Sequence, residues 1–129
     1  MLRIPLALRA LTGGVLLALL GQAQAAEPAM VKDGLLVDAR GMTLYTFDKD
    51  SPGKSLCNDS CAINWPPLAA SADAQGDAHW SVLQRDDGGW QWAYAGRPLY
   101  TFIHDQKPGD RLGDGRMGVW QVARPLAGQ

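Results

Sequence analysis

Aromatic and small or polar residues alternate along Trp90-Gln91-Trp92-Ala93-Tyr94-Ala95, the period-two signature of a half-buried strand with three aromatics on one face. Residues 80–85 read as a strand before it, with Asp86-Asp87-Gly88-Gly89 as the intervening turn. Gly96-Arg97-Pro98 then turns the chain into a third strand over 99–103, so this part predicts a meander. An earlier part follows the same plan, with strands over 29–32, 35–39 and 42–47 and turns at Asp33-Gly34 and Arg40-Gly41. Both parts then reach a Pro-Gly pair, Pro52-Gly53 or Pro108-Gly109, where Pro fixes φ and Gly accepts positive φ, as a type II turn demands. Beyond these turns the parts diverge. Residues 58–65, stopped by Pro66-Pro67, predict one helical turn capped by Asp59 or Ser60, whereas 117–122 predict a strand. No stretch beyond the N-terminal segment keeps a helical period over about eleven residues. The expected fold class is all-β: two meanders related by pseudo-twofold symmetry in one compact sandwich-like or barrel-like domain.

The two parts are copies of one unit. A shift of 55 residues places Gly41, Leu44, Tyr45, Thr46, Phe47 and Asp50 on Gly96, Leu99, Tyr100, Thr101, Phe102 and Asp105, and Trp65 on Trp120. The Pro-Gly pairs match at 56, so one residue was inserted between these points. The repeats span about 30–68 and 80–126. Residues 69–78, rich in Ala, Ser, Asp and Gly, read as the linker.

The segment before the first repeat changes the compartment. Arg3 and Arg9, an apolar run over 11–20 and Ala23-Gln24-Ala25 have the order of a cleavable secretory signal. The apolar run is shorter than the ~20 residues a spanning helix needs. The expectation is a signal peptide over 1–25 and one exported domain over 26–129, periplasmic or secreted, with no transmembrane segment in the mature chain. Ala26 and Glu27, not a cysteine, stand directly after the cleavage point, so no lipid anchor is expected. The full chain carries 12 basic and 13 acidic residues, and loss of Arg3 and Arg9 leaves ten against thirteen. Without a basic cluster, that balance argues against a nucleic-acid partner.

Tyr45-Thr46-Phe47-Asp48-Lys49-Asp50 and Tyr100-Thr101-Phe102-Ile103-His104-Asp105 share the pattern Tyr-x-aromatic-x-x-Asp. With Cys57-Asn58-Asp59-Ser60-Cys61, Trp65-Pro66-Pro67-Leu68 and Gly113-Asp114-Gly115, the mature chain resembles a bacterial family of secreted repeats of unknown function, also described as predicted lipoproteins with that motif. The resemblance implies an exported tandem-repeat domain and no established activity. The chain departs from the lipoprotein label by lacking the lipid-bearing cysteine.

Candidate chemistry is sparse. Cys57 and Cys61, the only cysteines, are expected to form a disulfide in an oxidising compartment. Their spacing differs from that of thioredoxin-type redox motifs and of covalent haem attachment. A copper site is a competing reading: two soft thiolates with His79, His104, Met30, Met42 or Met117 would suit that metal. A cation site is another, with Asp48, Asp50 and Asp59 near one loop and Asp105, Asp110 and Asp114 near the other, though without regular calcium-ligand spacing. The aromatics either fill the core, there being few Leu, Ile and Val, or line a ligand groove. Asp50 and Asp105 fall just beyond their strands, where a short carboxylate can accept backbone N–H bonds from the following loop. No nucleophile elbow, phosphate loop or dinucleotide fingerprint occurs. The expected function is therefore a non-catalytic binding or cell-envelope interaction module without a cofactor, its ligand or envelope partner unknown. The alternative is a periplasmic copper or thiol-redox accessory protein.

Overall fold

A computed structural model describes residues 28–128 together with Gly13 and Gly14. The segment read as a signal, with its cleavage point, otherwise lies outside the described residues. Strands dominate: β1 (Met30–Lys32), β2 (Leu35–Val37), β3 (Tyr45–Phe47), β4 (Trp80–Gln84), β5 (Trp90–Tyr94), β6 (Arg97–Pro98) and β7 (Trp120–Val122), with one helix, α1 (Ser60–Asn64). They form three small antiparallel sheets, β1-β2, β3-β7 and β4-β5-β6. Among the described residues no barrel closes, and three small sheets in a sandwich-like arrangement replace it.

The local turn chemistry acts where the residues place it. Gly53 and Gly109 hold φ values of 69° and 93°, which the third residue of a type II turn requires. The turn into β6 is instead formed by Ala95-Gly96, and Arg97–Pro98 is the strand. Residues 99–103 do not extend that sheet as expected, because Tyr100 pairs with Tyr45 and Pro67 of the first repeat. The strand expected over 117–122 shortens to β7, since Arg116–Gly118 is a 3-10 turn in which Met117 stands at φ 52°. Asp59 precedes α1 at φ 55° but makes no side-chain cap bond.

The repeats are not independent meanders. Each lends its last segment to the other. β7, from the second repeat, pairs with β3 of the first, in the register Tyr45↔Val122 and Phe47↔Trp120. The matching residues of the other half repeat the arrangement, with Tyr100 bridged to Pro67 and the Thr101 N–H bonded to the Pro66 carbonyl at 2.8 Å. Leu68 donates to Leu99 at 2.9 Å, as Ala123 donates to Leu44 at 2.8 Å. At the centre Tyr45 and Tyr100, equivalent under the 55-residue shift, bond each other through both backbone groups at 2.8 and 3.0 Å. The pseudo-twofold axis passes between them. The expected linker begins later than its composition suggests, because Ala69 bridges Gln91 and Ala70 bonds the Trp90 carbonyl.

Side-chain alternation along these shared segments divides the core in two. Leu35, Tyr45, Tyr100 and Val122 join Trp65, Phe102, Trp120 and Cys57 in one cluster, while their neighbours Leu36, Leu44, Leu99 and Ala123 join Trp80 and Tyr94 in the other. Segments at 35–36, 44–45, 99–100 and 122–123 are thus buried on both faces, which removes large apolar area from water at ~25 cal/mol per Å². On β5 both faces are covered: Gln91 and Ala93 are fully buried, and on the aromatic face Tyr94 is buried while Trp90 and Trp92 are half-covered. Gln91 tolerates burial because its amide donates to the Leu99 carbonyl at 2.7 Å and accepts from Arg85 at 2.8 Å.

Candidate functional site

The repeat-motif residues meet in a reciprocal arrangement about the axis. Tyr45 donates its hydroxyl proton to Asp105 at 2.5 Å, and Tyr100 donates to Asp50 at 2.6 Å. Each tyrosine therefore holds the carboxylate of the other repeat. The second oxygen of each aspartate accepts the backbone N–H of a leucine in its own loop, Leu56 on Asp50 at 2.8 Å and Leu112 on Asp105 at 2.9 Å. Burial, and then the bond to the aspartate, push both phenols well above their usual pKa. They are neutral donors throughout the physiological range.

Around these pairs the four rings Phe47, Trp120, Trp65 and Phe102 stack in order, with centroid spacings of 4.3, 3.8 and 4.2 Å. Trp65 and Trp120, equivalent in the repeat, lie within 5° of parallel. Tyr45 and Tyr100 meet them edge-on at 5.3 and 5.1 Å. This geometry combines offset stacking with edge-to-face contacts, the favoured modes for aromatic quadrupoles. Gly113 is required beside the stack: a Cβ there would fall 2.6 Å from Trp65 and 2.9 Å from Tyr45. Of the other aromatics, Trp80 and Tyr94 are buried in the second cluster. The groove reading thus has no support from the motif rings, which are packed on one another.

One half carries an addition the motif did not reveal. Arg85 is buried and donates to Ser55 at 2.9 Å, to Gln91 and, at 2.6 Å, to the Cys57 carbonyl. Ser55 lies 2.7 Å from the Tyr100 hydroxyl, whose own proton goes to Asp50. A guanidinium, two hydroxyls and a carboxylate form one chain. Sequence reasoning passed over Arg85, although period two from the buried Leu83 places it on the inward face. Burial raises the Asp50 pKa above its ordinary value, and its hydrogen bonds and Arg85 only partly oppose this. A raised folded pKa means that the contribution of Asp50 to stability is complete below the unfolded value and is lost as pH rises through the folded one. Relative to the Asp50→Asn protein, the wild type should therefore gain melting temperature as pH falls from neutral toward the ordinary carboxylate range. A flat or opposite difference between the two proteins in thermal melts at stepped pH would refute this.

The remaining candidates are dispersed. Cys57 and Cys61 are joined in a disulfide, which ties α1 to the loop behind Trp65. So short a closed loop contributes about 2 kcal/mol by chain entropy. Reduction, or the Cys57→Ser/Cys61→Ser protein, should lower stability by about that amount in urea titrations without loss of the fold. His79 lies against Tyr94, while His104 lies against Phe102 in the other cluster. Met30 and Met117 are exposed. Asp48 is bound to Arg97 and Gln121, and Asp110 accepts the N–H groups of Gln106 and Lys107. Among the described residues no group of three or more His, Cys, Asp and Glu side chains is placed to hold a metal ion. None of the helices described there is long and apolar enough to cross a membrane.

These features define an all-β, two-repeat domain in which each repeat completes the other and a Tyr–Asp exchange closes the centre. A family model described as a secreted repeat of unknown function matches it twice, over residues 29–69 and 81–124, and the chain belongs to that family. The description as secreted accords with an extracellular or periplasmic location. No curated protein and no solved structure matches the chain.

Proposed function

We propose that this protein is a non-catalytic binding module of the cell envelope, a rigid scaffold that presents two equivalent loops. The observation that carries this reading is the use of the motif: Asp50 and Asp105 each spend one oxygen on a tyrosine of the opposite repeat and the other on a loop N–H. Groups so committed favour holding a shape over moving protons. The leucines whose amides they fix, Leu56 and Leu112, are 51% and 57% exposed, so the same bonds present an apolar side chain at matching positions of the two repeats. The rival reading, a copper or thiol-redox accessory, requires the disulfide to open before either sulfur can act as a ligand. A photo-crosslinking residue placed at position 56 or 112 of the exported protein should give one discrete adduct with an envelope component. Replacing both aspartates with asparagine should abolish it. No adduct in cells, together with stoichiometric copper uptake by the reduced protein in native mass spectrometry, would overturn the reading in favour of its rival.

A further inference from the structure

A cleft of about 310 Å³ lies where the exchanged β7 segment meets the start of the second motif, away from the stacked rings. Its apolar lining includes Leu99, Val122 and Leu126, and its polar lining includes Arg97, Gln121 and Arg124. The pseudo-symmetry makes this composition informative. Under the 55-residue shift the counterparts of Arg97, Gln121 and Arg124 are Met42, Pro66 and Ala69. The fold therefore needs no charge or amide at these positions, yet in one half all three converge on a single cavity. The charges do not cancel: Arg97 is paired with Asp48 at 3.3 Å, and Gln121 also donates to Asp48, whereas no acidic partner of Arg124 occurs among the described residues. Among the described residues one positive charge is thus left in the lining of a partly apolar cleft whose volume is at the small end for ligand pockets.

The structure assigns to this cleft a small amphipathic monoanion, a monocarboxylate with a short aliphatic body, held by Arg124 at its head and by the exposed Ala95 and Leu126 along its tail. One uncompensated cation suits a monoanion better than a dianion, and the apolar lining excludes a bare inorganic ion. This inference rests on the binding-module reading and gives that module a ligand class.

Calorimetric titration of the processed protein, purified from the periplasm of an expression host, tests it with octanoate, octan-1-ol and inorganic phosphate as probes. Octanoate should bind saturably at one site; octanol should bind at least about tenfold more weakly because it lacks the charge-assisted bond, and phosphate at least about tenfold more weakly because it has no apolar body to bury. Arg124→Ala should weaken octanoate about tenfold, Arg124→Lys should restore part of the affinity, and Leu126→Glu should abolish binding. The melting temperature of Arg124→Ala should stay at the wild-type value, since its side chain makes no hydrogen bond or ion pair among the described residues. Equal binding of octanol, unchanged affinity in Arg124→Ala, or no saturable octanoate binding would each overturn the assignment. The crosslinks at positions 56 and 112 are read separately, so failure here is distinguishable from failure of the binding-module reading.

Discussion

Trp120→Ala should destabilise the domain by about 3–5 kcal/mol, as truncation of a buried aromatic does. Trp120 is 2% exposed and touches three rings of the centre: Phe47 and Trp65 by stacking, and Tyr100 edge-on. The loss is a large part of the ~5–15 kcal/mol that stabilises an ordinary domain. It should lower the melting temperature by at least ~12 °C in a domain of this size. Phe47→Ala should cost clearly less, because Phe47 ends the stack and is only half-buried. The two variants, melted side by side, decide whether the stack is the centre of stability. A Trp120→Ala protein that melts within a few degrees of wild type would show that it is not.

The second large effect belongs to the Tyr45–Asp105 bond. Asp105 is 7% exposed, and its side-chain partners are the Tyr45 hydroxyl and the Leu112 N–H. Tyr45→Phe leaves a buried carboxylate short of a donor and should cost about 1.5–3 kcal/mol. Asp105→Asn should also lower the melting temperature in metal-free buffer. The double variant should cost less than the sum of the singles, with a coupling of about 1 kcal/mol or more, as for residues in direct contact. Additive losses would mean that the bond contributes nothing. If metal-free melts are unchanged and a metal-dependent stabilisation disappears, the carboxylates serve a cation instead, and the exchange is not their purpose.

The legible parts of this protein are those governed by short-range physics. Period-two alternation marked β5 and the Asp-Gly turn before it marked β4, Pro-Gly pairs marked the type II turns, and the 55-residue self-match marked two units whose Tyr, Phe, Trp and Asp occupy equivalent places. Each signal is carried by neighbouring residues or by internal identity, so the chain alone suffices to read it. Partner choice is of another kind. Because the repeats are alike, the segment at 65–68 fits either motif strand equally well on paper, and nothing local states that its backbone pairs with Tyr100 rather than with Tyr45. The crossed arrangement sets Trp65 on Trp120 and each phenol on the opposite carboxylate, contacts that come from tertiary packing. The same holds for β5, where alternation shows two faces without saying that both are covered. Gln91 and Ala93 face inward because Arg85 and the Leu99 carbonyl satisfy the amide there, partners that come from elsewhere in the fold. The sequence by itself determined β4, β5, the Pro-Gly turns and the repeat; the tertiary structure decided where the other strands end and which strand completes which half, because pairing free energy depends on what is covered rather than on the segment that covers it.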